Sequence, residues 1–265
     1  MNTLKYNNYE IAYQTAGDPT HPCIVCLHPA FGDHRVFEDQ FVSLSDDYFL
    51  IGLDMLGHGQ TQPGSTSDQM DETIEHIRHI LDHYQISRCH LLGVSLGALV
   101  VQSFADRYPQ LTLSVTAVGG YSIHRDNKEL QKAQSKEIFS WILKLLFNMN
   151  GFREYIAKKS TYRPEAYARM LNYSQAITRK SLMYMQGMGK LFVEKDLPVS
   201  YPLWVVYGEH EIPMALAHGS RWVADESKAR LTIIEGAGHC ANMEVPDVFN
   251  KHFREFLRFV EMGGE

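Results

Sequence analysis

The chain has no stretch of eighteen or more apolar residues, which excludes a helix long enough to cross a bilayer. It has no run of Lys or Arg either, and its formal charge is −6, so it carries no electrostatic footprint for nucleic acid or an anionic membrane surface. Neither partner is expected; a small-molecule substrate is. The charged-then-apolar pattern of a secretory leader is missing from the first residues, and the expected location is cytoplasmic. No P-loop or dinucleotide fingerprint follows a strand-like run, so no nucleotide or other cofactor is implied. Metal ligation also lacks a pattern: His76, His79 and His83 share a helical face without further partners, which reads as a solvated face. Cysteine is scarce at four residues, Cys23, Cys26, Cys89 and Cys240. The first two form a Cys-x-x-Cys, but they flank Ile24 and Val25 in an apolar run that would aim them at opposite faces of a strand, so buried reduced thiols are expected.

What is present is an ordinary globular composition, 45% hydrophobic and 21% charged over 265 residues, enough for one substantial core. Short β-branched runs alternate with amphipathic stretches, the pattern of a mostly parallel sheet covered by helices. A hairpin is predicted over residues 4–6 and 10–15 around Asn7-Asn8, followed by strands at 23–27, 49–53, 90–93, 113–118, 203–207 and 230–234. Helices are predicted over 67–84, with Met70, Ile74, Ile77 and Leu81 on one face, over 96–108, and over 246–260. The last carries Val248, Phe253, Phe256, Leu257 and Val260 on its apolar stripe. Between 121 and 197 the strand pattern gives way to helical segments rich in Met, Tyr and Phe. This predicts a helical cap (121–197) inserted into a core formed by 1–120 and 198–265. Trp141, Leu145, Leu146, Phe147, Met149, Met183, Tyr184, Met185 and Met188 are candidates to line a pocket beneath it, although such side chains are also ordinary core.

The strongest chemical signal is Gly93-Val94-Ser95-Leu96-Gly97, which follows the apolar run His90-Leu91-Leu92 and opens a helix. A serine on so sharp a strand-to-helix turn projects its hydroxyl, the small flanking glycines let the backbone close around it, and unpaired helix N–H groups meet developing negative charge.

With its neighbouring motifs this pattern resembles the α/β-hydrolase superfamily over nearly the whole chain apart from the cap. His28-Pro29-Ala30-Phe31-Gly32 looks like the oxyanion loop, Asp54-Met55-Leu56-Gly57-His58-Gly59 like a structural Asp-x-x-Gly-x-Gly turn, and Gly236-Ala237-Gly238-His239 like the loop that delivers the catalytic histidine. The resemblance implies an eight-stranded, mostly parallel sheet and a serine hydrolase with Ser95 as nucleophile and His239 as base, ahead of His28, His58, His210 and His218. It places Glu211 on the acid position, with Glu209 as the alternative in Gly208-Glu209-His210-Glu211. The backbone N–H groups of Leu96 and Ala30 would form the oxyanion hole. Pro29 stands where the family commonly has Gly; it lacks an N–H and cannot reach positive φ, so the loop must be built differently just before Ala30. Phe31, Trp141, Met185 and Met188 are the substrate-contact candidates. A carboxylic ester with a small to medium apolar or aromatic group is the expected substrate, though Arg153, Arg163, Arg169 or Arg179 would suit a carboxylate if one pointed inward. Carbon–carbon hydrolysis, aminopeptidase, lactonase or perhydrolase chemistry stays open, as does a non-catalytic ligand receptor on the same fold. Nothing in the sequence speaks to oligomeric state.

Overall fold

A computed structural model describes residues 1–65, 67–124, 141, 144, 147–178, 181, 185–193, 195 and 198–264. Eight strands form one sheet: β1 (Asn2–Tyr6), β2 (Tyr9–Ala16), β3 (Cys23–Leu27), β4 (Phe49–Leu53), β5 (Cys89–Val94), β6 (Thr112–Val118), β7 (Leu203–Gly208) and β8 (Ala229–Ile234), in spatial order β1-β2-β4-β3-β5-β6-β7-β8. β2 pairs antiparallel with both β1 and β4, and the remaining pairs are parallel. β3, β4, β5 and β7 are buried from end to end, which is why they read as unbroken apolar runs, while edge strands β1 and β8 are partly exposed. The buried free thiols of Cys23 and Cys26 are part of this core.

Among the described residues the helices with full bounds are α1 (Glu38–Leu44), α2 (Thr73–His83), α3 (Leu96–Arg107), α4 (Met149–Ser160), α5 (Pro164–Tyr173), α6 (Pro213–Ala224), α7 (Ala241–Glu244) and α8 (Pro246–Glu261). α8 seats Phe249 and Phe253 flat against Trp204 of β7, with ring centroids 5.4 and 5.9 Å away. Three details differ from the sequence expectation. α2 begins at Thr73 rather than near 67, because Gln69 is extended and closes a capping box with Glu72 ahead of a short 3-10 turn. On α8 it is Phe249 that is buried, while Val248 is 41% exposed. His76 belongs to no solvated face: it is fully buried, its Nε2 lies 2.7 Å from the Tyr9 hydroxyl, and burial pushes its pKa down to about 3.

The strand order places the site. β3 connects to β4 on one side, and the chain then crosses to β5 on the other, so the loops leaving β3 and β5 diverge at a topological switch point, where ligands of open parallel sheets bind. The predicted 121–197 segment enters after β6 and returns before β7; its described residues include α4 and α5 and no strand.

Candidate active site

β5 runs into α3 through Ser95, whose φ of 52° and ψ of −111° lie outside the regions a serine ordinarily adopts, a conformation that costs about 1–3 kcal/mol. The packing around it enforces this. The Ser95 N–H donates to the Val118 carbonyl at 2.8 Å, and a Cβ on Gly97 would lie 2.0 Å from the Leu27 oxygen, so only glycine lets α3 start this close to β3.

The loop after β3 is built around His28. The Met55 N–H can only donate, so His28 Nε2 accepts it at 3.0 Å and the ring proton resides on Nδ1, 2.8 Å from the Pro29 carbonyl. Burial lowers the His28 pKa and keeps this ring neutral. The Pro29 carbonyl also receives the Gly32 N–H at 3.1 Å, and the residue that takes positive φ is Phe31, at 64°. This is how the loop accommodates proline: the left-handed turn is moved two residues on, onto a buried phenylalanine packed edge-on against Trp141 and Phe152. Asp54 is buried in the neighbouring turn, accepting from the His34 N–H, His34 Nδ1 and the Gln60 N–H, as befits a structural carboxylate.

At the far side, His239 Nδ1 lies 2.5 Å from Glu211 Oε2. Glu211 is 7% exposed at its side chain; burial alone would raise its pKa, but the His239 charge and hydrogen bond, with the Ile212 N–H, outweigh it and hold the carboxyl below its ordinary value. A carboxylate only accepts, so the shared proton belongs to Nδ1 and the Nε2 lone pair is the basic one. Glu209 does something else: its side chain, 52% exposed, accepts the Gly236 N–H at 2.9 Å. Gly119, at the end of β6 with φ +59°, allows the imidazole to approach; a Cβ there would stand 2.8 Å from His239 Nδ1.

These groups surround one cavity of about 250 Å³. Ser95, Leu96, Ala30, His239 and Glu211 line it, and so do Phe31, Trp141, Met185 and Met188. Among the described residues, His239 is the one histidine there: His28 and His58 are buried in the structural turns, His58 held near pKa 3 by burial, and His210 stacks on Tyr162. Of the other pocket candidates, Phe147 is 83% exposed and Met149 packs on the core instead, while Leu145, Leu146, Met183 and Tyr184 lie outside the described residues. No described arginine of the predicted four points in: Arg153 binds the Gln175 and Ile177 carbonyls, Arg163 the Gly236 carbonyl, and Arg169 Asp39; Arg179 lies outside the described residues. Among the described residues the cation that lines the cavity is Lys159, with Tyr155, Ile156 and Ser160 beside it on α4, a set not among the sequence-based candidates. Their spacing along one helical face was the available signal. No group of residues that could hold a metal is present among the described residues.

The profile of the α/β-hydrolase fold matches residues 22–142. The chain is 22% identical to the dihydrolipoyllysine-residue acetyltransferase component of the acetoin cleaving system of Pseudomonas putida, over 93% of this chain and 66% of that one, just under two thirds of its length. It is 24% identical to the 2-succinyl-6-hydroxy-2,4-cyclohexadiene-1-carboxylate synthase of an Enterobacter species, over 92% and 94% of the two chains. Among solved structures, a thermophilic esterase from Thermogutta terrifontis superposes with a TM-score of 0.81 at 20% identity, covering 95% of this chain and 94% of that one. At such identities the likeness establishes the fold.

Proposed function

We propose that this protein, an α/β-hydrolase by fold, is a serine hydrolase that works through an acyl-enzyme on carboxylic esters with a small to medium apolar or aromatic group. The observation that carries the reading is the His239–Glu211 hydrogen bond at a cavity that also holds Ser95 in strained backbone at the start of α3.

In this mechanism His239 Nε2 takes the Ser95 hydroxyl proton as Oγ attacks the ester carbonyl, and Glu211 holds the imidazole tautomer and stabilises the imidazolium. The oxyanion meets the N–H groups of Leu96 and Ala30. His239 then gives its proton to the departing alcohol. Water repeats the sequence on the acyl-enzyme, releasing the acid and regenerating Ser95. Residues 121–197 act as a cap, with α4, Trp141, Met185 and Met188 forming a largely apolar wall that favours an apolar acyl or aromatic group.

The test is hydrolysis of p-nitrophenyl esters of graded acyl length, with labelling by a serine-directed phosphonate, on wild type and Ser95→Ala. Turnover and labelling in wild type, both lost in Ser95→Ala, are expected. Activity surviving without Ser95 overturns the mechanism. Saturable binding without product release points instead to a receptor on the same fold.

A further inference from the structure

The histidine loop is tied to the pocket wall at three points. The Cys240 N–H, immediately after His239, donates to the Ser160 carbonyl at 3.1 Å. Arg163 Nε donates to the Gly236 carbonyl at 2.8 Å. The third tie runs through Glu244 of α7. Its Oε1 accepts the N–H of Gly238, immediately before His239, at 2.9 Å, and its Oε2 accepts the N–H groups of Tyr162 and Arg163 at 2.6 and 2.9 Å.

Glu244 is only 5% exposed, and a carboxylate this buried is tolerated because three N–H donors, two of them at the start of α5, meet it. The N–H groups of both residues flanking His239 are thus anchored, that of Cys240 directly to the end of α4 and that of Gly238 through this carboxylate to the residues just ahead of α5. α4 ends at Ser160, which together with Ile156 and Lys159 faces the cavity. A displacement of α4 by the bound substrate therefore moves the residues that hold His239.

We infer that Glu244 is a positioning residue that couples the α4 wall of the pocket to the catalytic alignment of His239, so that occupancy of the wall and the placement of the base are set together. The inference rests on the serine-hydrolase reading. It differs from a purely structural role in one respect: breaking the tie misplaces the base even for a substrate too small to press on α4.

The experiment compares wild type, Glu244→Gln, Arg163→Met and the double variant on p-nitrophenyl acetate and a longer acyl ester, with rates expressed per phosphonate-titrated site and Tm measured in parallel. Glutamine keeps the length of glutamate but offers a single acceptor oxygen, so one of the two arms is lost. The expected result is a fall in kcat of about tenfold on both esters with KM for acetate unchanged, since sub-ångström to ångström misplacement of a base costs factors of this order. The effects of the two single substitutions should also combine non-additively, because the two ties hold one histidine loop. A Tm drop with kcat per titrated site within about twofold of wild type overturns the inference, as does a rise in KM confined to the longer ester. If Glu244→Gln does not fold, Glu244→Asp, which keeps the charge but is one methylene too short to span both arms, decides instead: an unchanged kcat overturns the inference. Failure of wild type to label or turn over sinks the hydrolase reading itself, and the coupling with it, which separates that outcome from a negative result in the variants.

Discussion

His239 Nδ1 and Glu211 Oε2 stand 2.5 Å apart, although the residues are 28 positions apart in the chain and another glutamate, Glu209, lies two positions from Glu211. The geometry separates the two acids: one faces the imidazole, the other the Gly236 N–H.

Glu211→Gln keeps the size of the side chain but removes the charge that fixes the His239 tautomer. A fall in kcat of about 10²–10⁴ is expected, against less than about threefold for Glu209→Gln. Steady-state kinetics on a p-nitrophenyl ester decide it; the reverse ranking would hand the acid role to Glu209.

At Gly119 a single methyl group should be enough to disturb the base. Alanine there would carry φ of +59° and put its Cβ 2.8 Å from His239 Nδ1. The strain costs roughly 1–2 kcal/mol and lowers Tm by a few degrees, while kcat falls by about tenfold or more. Unchanged kcat in Gly119→Ala would show that the imidazole is not confined from this side.

Acid should weaken the fold through buried histidines. His76 and His58 are held near pKa 3 by burial, against an ordinary value of 6.5. Between those limits the unfolded chain binds protons that the folded chain does not. Stability is therefore complete above about pH 6.5 and is lost progressively as pH falls toward 3. Replacing His76 by Gln removes one of these groups, so the variant should lose roughly 1–2 kcal/mol less than wild type between about pH 7 and 5. Urea unfolding at the two pH values measures the difference; equal losses would place the acid sensitivity elsewhere.

The four cysteines should be silent in the native protein. All are buried and free, and burial raises each thiol, Cys89 to about 12. A thiol-reactive chromophore should find none before denaturation and all four after it. Rapid native labelling of Cys23 or Cys26 would revive a redox reading of the Cys-x-x-Cys.

Legibility followed the strength of local signals. β3 and β4 coincide with their predicted spans at both ends because buried central strands are unbroken apolar runs bounded by Pro22 or polar residues and by His28 or Asp54. α6 went unrecognised although Leu216, Gly219, Trp222 and Val223 recur at helical spacing and pack on the core; Pro213 at its first turn was the further signal available. The error at His76 came from reading three histidines as polar; burial against Tyr6 and Tyr9 makes one of them core.

Within the chain itself, the amino-acid order determined the strands, the strand-to-helix turn at Ser95 and the loop that carries His239, because each depends on neighbours a few residues away and on the backbone freedom of glycine. The motif register already favoured Glu211 over Glu209; tertiary structure alone decided that Phe31 takes the left-handed turn, that Lys159 rather than an arginine enters the cavity, and that Glu244 joins the histidine loop to α4. Those outcomes are set by contacts between segments distant in the chain, where an ångström of packing selects one oxygen or one side chain over another and no local pattern records the choice.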